Sequence, residues 1–203
     1  MDTLDQRRTK PAESNTLHPL RETASQTAGP YVHIGCAPAQ AGLDTLFDCE
    51  SLPVQSTDQG NPINIYGHVF DGANEPCKDI MLEFWHCDAN GSHTPGVWQR
   101  TMANPETGLF AIRTTMPGIQ VLENGNRMAP FINIWLAARG INTGLLTRMY
   151  LPEFPDLNQN DPHFRRIETS RKPTLIATLG QTQSNYIFDI RLQGGDETVF
   201  FKT

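Results

Sequence analysis

The most constraining feature of this sequence is a series of short strand-like runs, each followed by a turn signal. Residues 63–70 end at Asp71-Gly72, and residues 79–87 run up to Asn90-Gly91. Residues 108–114 stop shortly before Pro117-Gly118. Asn-Gly is the strongest short-range signal for a hairpin, and regularly spaced short strands are typical of a β-sandwich. The pattern therefore predicts an all-β protein.

Five further runs extend this pattern to the end of the chain. They cover residues 131–138, 145–151, 174–179, 186–192 and 198–201. We expect eight or nine antiparallel strands in a β-sandwich, with one short helix at residues 161–168. Asp161 can cap that helix, and Pro162 takes the first helical position, where its missing N–H is not needed.

Composition indicates one folded domain preceded by a tail. Residues 1–22 are polar and aperiodic and are predicted to be a flexible extension, which leaves residues 23–203 as the domain. The net charge of −6 without a basic stripe argues against a nucleic-acid partner. No apolar run reaches the ~20 residues of a membrane helix. The absence of an apolar signal segment predicts a cytoplasmic protein.

The cysteines and histidines do not form a strong metal or redox motif. Cys36, Cys49, Cys77 and Cys87 include no C-x-x-C pair, so we expect reduced thiols. The six histidines include no His-x-His or His-x-x-x-His spacing. The densest cluster is His86, Asp88 and His93, which fits either a loose metal site or a hydrogen-bonded histidine at a strand end.

Motifs for a serine nucleophile, a Walker A loop and a dinucleotide site are also absent. Spacing and composition alone thus identify a β-sandwich without a self-sufficient active site.

Several segments of the chain nevertheless match a known family in order. They are residues 22–35 (ETASQTAGPYVHIG), 67–72 (GHVFDG), 85–91 (WHCDANG), 128–133 (MAPFIN), 138–142 (ARGIN), 188–194 (FDIRLQG) and 197–201 (ETVFF). Through these segments the chain resembles the intradiol ring-cleavage dioxygenases, and within them the α subunit of an enzyme built from unlike subunits.

This resemblance implies a sandwich fold, a hetero-oligomer and a division of labour. The β subunit of such an enzyme holds a non-haem ferric iron through two tyrosines and two histidines. The complex cleaves 3,4-dihydroxybenzoate with O2 to 3-carboxy-cis,cis-muconate, and the α subunit keeps a degenerate iron site. We therefore expect a β-subunit partner, a small aromatic acid as substrate, and Fe(III) in the partner rather than in this chain.

The four positions that match the family's iron ligands carry other residues here. The two histidines correspond to Phe131 and Asn133, and the two tyrosines correspond to Gln120 and His93. Strand alternation places Phe131 and Asn133 on one sheet face. A phenyl ring cannot coordinate iron, and neutral amides are poor replacements for tyrosinate. The resemblance thus predicts no metal and no catalytic residue in this chain.

The same resemblance assigns this chain a role in binding the substrate. The residues matching the family's pocket wall are Thr27, Gly29, Pro30 and Tyr31, and the arginine matching Arg139 contacts the substrate. A guanidinium group can bind the carboxylate of an aromatic acid through two parallel hydrogen bonds.

Two other functions remain as alternatives. The first is a homomeric dioxygenase with a rebuilt metal site that uses His86, Asp88 or His93, which predicts iron in the chain expressed alone. The second is a ligand-binding β-sandwich module that has lost catalysis, which predicts binding of an aromatic acid without a partner subunit.

Overall fold

The structure is a computed structural model, and it describes residues 26–29, 31–38, 42–43, 60–94, 96–122, 124–182 and 184–202. The predicted extension at residues 1–22 lies outside these ranges. Eleven strands are described, in the order β1 Pro62–Phe70, β2 Met81–His86, β3 Val97–Met102, β4 Leu109–Thr115, β5 Gln120–Val121, β6 Arg127–Met128, β7 Phe131–Ala137, β8 Leu145–Tyr150, β9 Thr178–Leu179, β10 Asn185–Ile187 and β11 Ile190–Arg191. The helices are short: α1 is Val32–Cys36, α2 is Pro155–Asn160, and two 3-10 helices span Phe164–Arg166 and Lys172–Leu175.

Two sheets face each other and confirm the all-β sandwich. One is an antiparallel sheet in the order β3-β2-β7-β8. The other is centred on β1, which pairs antiparallel with β4 and parallel with β10 and β11, while β9 extends β10. Strands β5 and β6 form a separate small hairpin. Within the described chain, no helix is long and apolar enough to cross a membrane.

The main core lies between the two sheets. Alternate residues of β1 and β4 supply one side, and alternate residues of β2, β7 and β8 supply the other. Its members include Ile63, Ile65, Val69, Leu82, Phe84, Phe110, Ile112, Ile132, Ile134, Leu136 and Met149.

Strand β7 is covered on its outer face as well. Two smaller clusters lie there, one around Phe131 and Tyr150 and the other around Ala37, Met81 and Met102. The outer face of the antiparallel sheet is therefore shielded from solvent over part of its length, and this is the face that carries the candidate site.

The helix predicted at residues 161–168 differs in the structure. Helix α2 ends at Asn160, because Asp161 adopts an extended conformation (ψ 129°), as the residue before a proline tends to do. Asp161 does cap the turn that follows, since its Oδ1 atom accepts hydrogen bonds from the backbone N–H groups of His163 and Phe164. That turn is only a 3-10 helix of three residues.

Two predicted strands were also wrong in part. Residues 174–179 begin inside the 3-10 helix Lys172–Leu175, and only Thr178–Leu179 pair as a strand. Residues 198–201 form a single bridge, between Phe201 and Leu146. The sequence analysis predicts no strand at Val97–Met102, where the structure has β3.

Three of the four cysteines, Cys36, Cys77 and Cys87, are free thiols, and Cys49 lies outside the described residues.

Candidate functional site

Arg139 lies just past the end of β7, beside the start of β2. The β2–β7 ladder pairs Met81 with Ala137, and continuing it by two residues brings Asp79 opposite Arg139. The Nε atom of Arg139 donates a hydrogen bond to Asp79 Oδ2, and the two side chains form an ion pair. This hydrogen bond and the charge of Asp79 raise the pKa of Arg139 above its ordinary value. The arginine side chain is 61% exposed, so it stands at the surface as a fixed cation.

Thr27 fastens the N-terminal segment to the backbone on both sides of Arg139. Its Oγ1 atom accepts a hydrogen bond of 2.6 Å from the N–H of Gly140 and donates one of 3.3 Å to the carbonyl of Ala138. Gly140 has φ +85°, a conformation that favours glycine and turns the chain at this point. Two hydrogen bonds across more than 110 residues of sequence therefore hold Thr27 to the two neighbours of Arg139.

The rest of the predicted wall continues from Thr27 into α1. The carbonyl of Gly29 accepts a hydrogen bond of 3.2 Å from the N–H of Val32, and Tyr31 is 74% exposed. Pro30 lies outside the described residues. After α1, Ala37 is buried against Met81 and Met102 on the outer face of the antiparallel sheet. The structure thus brings the segment that holds Thr27, Gly29 and Tyr31 to the same end of the sheet as Arg139.

The four predicted degenerate ligand positions fall into two pairs on neighbouring elements. Phe131 and Asn133 are buried on the outer face of β7. Gln120 begins β5 and is also buried, and His93 lies in the loop after β2. The His93 Nε2 atom donates a hydrogen bond of 3.0 Å to Gln120 Oε1.

Arg148 occupies the space against the first pair. Its Nε atom donates a hydrogen bond of 3.1 Å to Asn133 Oδ1, and its Cζ atom lies 4.2 Å from the centre of the Phe131 ring. A guanidinium group is always charged in proteins, so it opposes the binding of a metal cation beside it. The donor set is also unsuitable for Fe(III), which is normally held by anionic oxygen and imidazole ligands. The residues present therefore do not fit an iron ion.

Sequence reasoning missed Arg148 and Asp79. Arg148 lies on β8 opposite Asn133, and its only signal in the sequence was alternation, which places it on the same face as Tyr150. Asp79 was included in a predicted strand without a role. Its partner Arg139 lies 60 residues further along the sequence, and nothing in the sequence indicates that the two side chains meet.

The loose cluster of His86, Asp88 and His93 does not come together as a metal site. Both ring nitrogens of the buried His86 have partners, with Nδ1 2.6 Å from the carbonyl of Cys87 and Nε2 2.8 Å from Thr114 Oγ1. Burial lowers the pKa of His86 to about 4. Asp88 Oδ1 instead accepts hydrogen bonds from the backbone N–H groups of the turn that follows it. In the part of the chain that the structure describes, no three His, Cys, Asp or Glu side chains could hold a metal ion together.

Comparison with solved structures agrees on the fold. The dioxygenase domain of a dioxygenase carbohydrate-binding protein fusion from Streptomyces sp. SirexAA-E superposes with a TM-score of 0.55 at 24% identity, covering 72% of this chain and 86% of that one. Catechol 1,2-dioxygenase from Acinetobacter sp. ADP1 gives a TM-score of 0.54 at 17% identity, covering 68% of this chain and 54% of that one. No protein-family model matches the sequence.

Comparison with sequences is more specific. The protocatechuate 3,4-dioxygenase alpha chain of Pseudomonas putida is 40% identical over 194 residues, which cover 90% of this chain and 96% of that one. The alpha chain from Burkholderia cepacia is 33% identical over 199 residues, covering 90% and 98%. The beta chain of the same enzyme from B. cepacia is 29% identical over 160 residues, covering 68% and 67%. The resemblance to the intradiol dioxygenases is confirmed, and the chain belongs to the family of protocatechuate 3,4-dioxygenase alpha chains.

Proposed function

We propose that this chain is the iron-free α subunit of a protocatechuate 3,4-dioxygenase and forms one wall of the active site of an iron-bearing β subunit. The complex would cleave 3,4-dihydroxybenzoate with O2 to 3-carboxy-cis,cis-muconate. The names of the alpha-chain relatives support the subunit type and the substrate. The similarity to a beta chain supports a β-subunit partner of the same fold.

The observation that carries the iron-free part of this proposal is the position of Arg148. Its guanidinium group contacts Phe131 and Asn133, two of the four residues at the degenerate ligand positions. The other two, His93 and Gln120, are hydrogen-bonded to each other. An internal cation and an internal hydrogen bond thus replace the interactions that a metal would otherwise make. The ferric iron, which supplies the oxygen chemistry, would be held by the partner.

The substrate-binding part rests on Arg139 and the segment fixed beside it. In our proposal the guanidinium of Arg139 binds the carboxylate of the aromatic acid, while Gly29, Pro30 and Tyr31 contact its ring. Thr27 keeps this segment in place through its hydrogen bonds to residues 138 and 140. No observation on the described residues favours the alternative function, a ligand-binding module that acts without a partner. This alternative is therefore kept only as a competing outcome of the experiment. Cytoplasmic localisation, and the lack of a nucleic-acid or membrane partner, stay predictions.

The first experiment measures iron content and ring cleavage for this chain alone, for the β subunit alone and for the two together. We expect no iron and no activity in this chain alone, and an iron-containing active complex when both are present. Iron and activity in the isolated chain would contradict the proposal. Binding of 3,4-dihydroxybenzoate by the isolated chain, with no effect of the β subunit, would favour the binding module.

The second experiment tests Arg139 in the complex. Arg139→Ala should raise the KM for 3,4-dihydroxybenzoate by about 10- to 100-fold, because a hydrogen bond between charged groups contributes about 1.5–3 kcal/mol. The KM for plain catechol, which has no carboxylate, should change little. Arg166→Ala is a matched control, since Arg166 is an exposed arginine on a 3-10 helix. Equal effects of Arg139→Ala on both substrates would remove Arg139 from the binding site.

A further inference from the structure

The ion pair between Asp79 and Arg139 leaves a defined part of the guanidinium group available. Asp79 accepts the hydrogen bond from Nε, the guanidinium nitrogen that is attached to the aliphatic part of the side chain. Among the described residues, the structure shows no hydrogen bond from either Nη atom of Arg139. A guanidinium carries its five N–H donors in one plane, so fixing Nε also fixes the direction of the two Nη groups.

The backbone around this pair is fixed as well. Thr27 ties Ala138 and Gly140, the two neighbours of Arg139, and the β2–β7 ladder carries Asp79 towards Arg139. Both the start and the tip of the arginine side chain are therefore restrained. Without Asp79, only the backbone of Arg139 would be restrained. Its side chain, which is 61% exposed, would then be free to take many rotamers.

We propose that Asp79 is a positioning residue that orients Arg139 so that its free Nη edge receives the carboxylate of the substrate. This inference rests on the proposed function, because it requires Arg139 to bind that carboxylate. Asp79 itself need not touch the substrate. Its contribution is to order the arginine side chain before the substrate arrives, so that less conformational entropy is lost on binding.

A competing effect has the opposite sign and makes the inference testable. Asp79 is an anion near the position proposed for a second anion, so removing it would also remove a repulsion and lower the KM. The Asp79 side chain is 40% exposed, and water and salt screen such a repulsion strongly. Side-chain ordering is not screened. We therefore expect the positioning effect to dominate and the KM to rise.

The test uses the complex of both subunits and compares two substitutions at Asp79. Asp79→Ala should raise the KM for 3,4-dihydroxybenzoate by about three- to tenfold, the effect of freeing one long side chain, with kcat and the constants for catechol almost unchanged. Asp79→Asn keeps an oxygen that can accept the bond from Nε but has no charge, so it should give a smaller rise. If Asp79 acted only as a repelling charge, both variants would lower the KM.

A matched control is available on strand β2, which follows Asp79 in the chain. Glu83 of β2 pairs with Arg100 of β3, at some distance from Arg139 along the sheet. Glu83→Gln removes the same charge from a comparable ion pair and should leave the preference for the carboxylated substrate unchanged. A similar change of preference in Glu83→Gln would mean that the effect of Asp79 is not specific, and would overturn the inference.

The double variant separates failure of this inference from failure of the proposed function. In an Arg139→Ala background, Asp79→Ala should not raise the KM any further, because the residue that it orients is gone. If Arg139→Ala does not discriminate between the substrates, the proposed role of Arg139 is wrong. If Arg139→Ala discriminates but Asp79→Ala does not, or if Asp79→Ala affects both substrates equally or lowers the KM, only the role of Asp79 is wrong.

Discussion

The guanidinium group of Arg148 lies over the ring of Phe131, while its Nε atom donates a hydrogen bond to the amide oxygen of Asn133. The Cζ atom of Arg148 also lies 5.6 Å from the centre of the Phe201 ring, so two aromatic rings lie beside the guanidinium group. Such a cation–aromatic contact is more favourable when it is shielded from water. One side chain thus gives the buried amide of Asn133 a hydrogen-bond partner and also packs against the ring of Phe131.

His86 illustrates how a residue that resembles a metal ligand can be purely structural. The carbonyl of Cys87 can only accept a hydrogen bond, so Nδ1 of His86 carries the proton. The other nitrogen, Nε2, then accepts a hydrogen bond from the hydroxyl of Thr114. The neutral ring is therefore satisfied on both sides, and protonation would place a charge in a site that is only 2% exposed.

This arrangement predicts a pH dependence of stability. Burial lowers the pKa of His86 from 6.5 to about 4 in the folded chain, so between these values the unfolded chain binds more protons. His86 should stabilise the fold fully above pH 6.5, and this contribution should fall by about 3 kcal/mol as the pH drops to 4. The measurement is the free energy of unfolding against pH for the native chain and for His86→Gln.

The variant should lose less stability between pH 6.5 and pH 4 than the native chain does. His163→Gln serves as the control, because the ring of His163 is more exposed and contributes less to the slope. The same slope for the native chain and for His86→Gln would show that His86 does not titrate in this range.

At the scale of elements, the strands with alternating side chains could be predicted, and the pairings between distant strands could not. Strands β1 and β4 alternate buried and exposed residues, and both were predicted within about two residues of their bounds. The parallel pairing of β1 with β10 and β11 joins residues more than 110 positions apart. Nothing local in the sequence encodes such a pairing.

Helix α2 escaped prediction for a different reason. Its six residues show no apolar periodicity, and one polar member, Asn158, is buried because its side chain donates to the carbonyl of Leu151. Periodicity identifies helices that bury an apolar stripe. Helix α2 instead buries a polar residue and packs a single leucine, Leu157, against the cluster around Phe131 and Tyr150. For the candidate site, too, one part could be predicted from the sequence and the other part could not. The resemblance supplied Arg139 and Thr27, whereas their connection and the ion pair with Asp79 required the structure.

Gly67 of β1 lies beside the break between β10 and β11, and its position leads to a prediction about stability. The Phe188 backbone lies in this break, with its N–H donating to the carbonyl of Tyr66. A Cβ atom on Gly67 would overlap the carbonyl oxygen of Phe188 and would lie 2.8 Å from the Phe110 ring. Gly67→Ala should therefore destabilise the fold by about 2–4 kcal/mol and lower the Tm by about 4–16 °C.

Thermal unfolding of the variant measures this effect directly. Gly195→Ala is the matched control, because a Cβ atom at that position would meet no atom within 4 Å. An equal Tm for the Gly67→Ala and Gly195→Ala variants would show that the Phe188 backbone moves aside without loss of stability.

At the scale of the whole molecule, the described surface carries several large exposed hydrophobic side chains. Tyr31 and Val121 are the most exposed, at 74% and 69%, and Tyr66, Leu109 and Ile187 are also exposed on the sheet around β1. Single exposed hydrophobic residues are ordinary, but a subunit that assembles with a partner is expected to bury some of them. This exposure fits a chain that belongs to a hetero-oligomer.

A partner that binds only the folded chain must raise its apparent stability, and this gives the last prediction. When the free β subunit is at about 100 times the dissociation constant, the stabilisation is about 2.7 kcal/mol, which corresponds to a rise in Tm of about 5–10 °C for a chain of this size. The measurement is the soluble fraction of this chain after heating, read from its own gel band, with increasing amounts of the β subunit. The midpoint should rise with the concentration of the β subunit and should not change with an unrelated protein at equal concentration. A midpoint that is independent of the β subunit would contradict assembly of the two chains, because binding to the folded state cannot leave its stability unchanged.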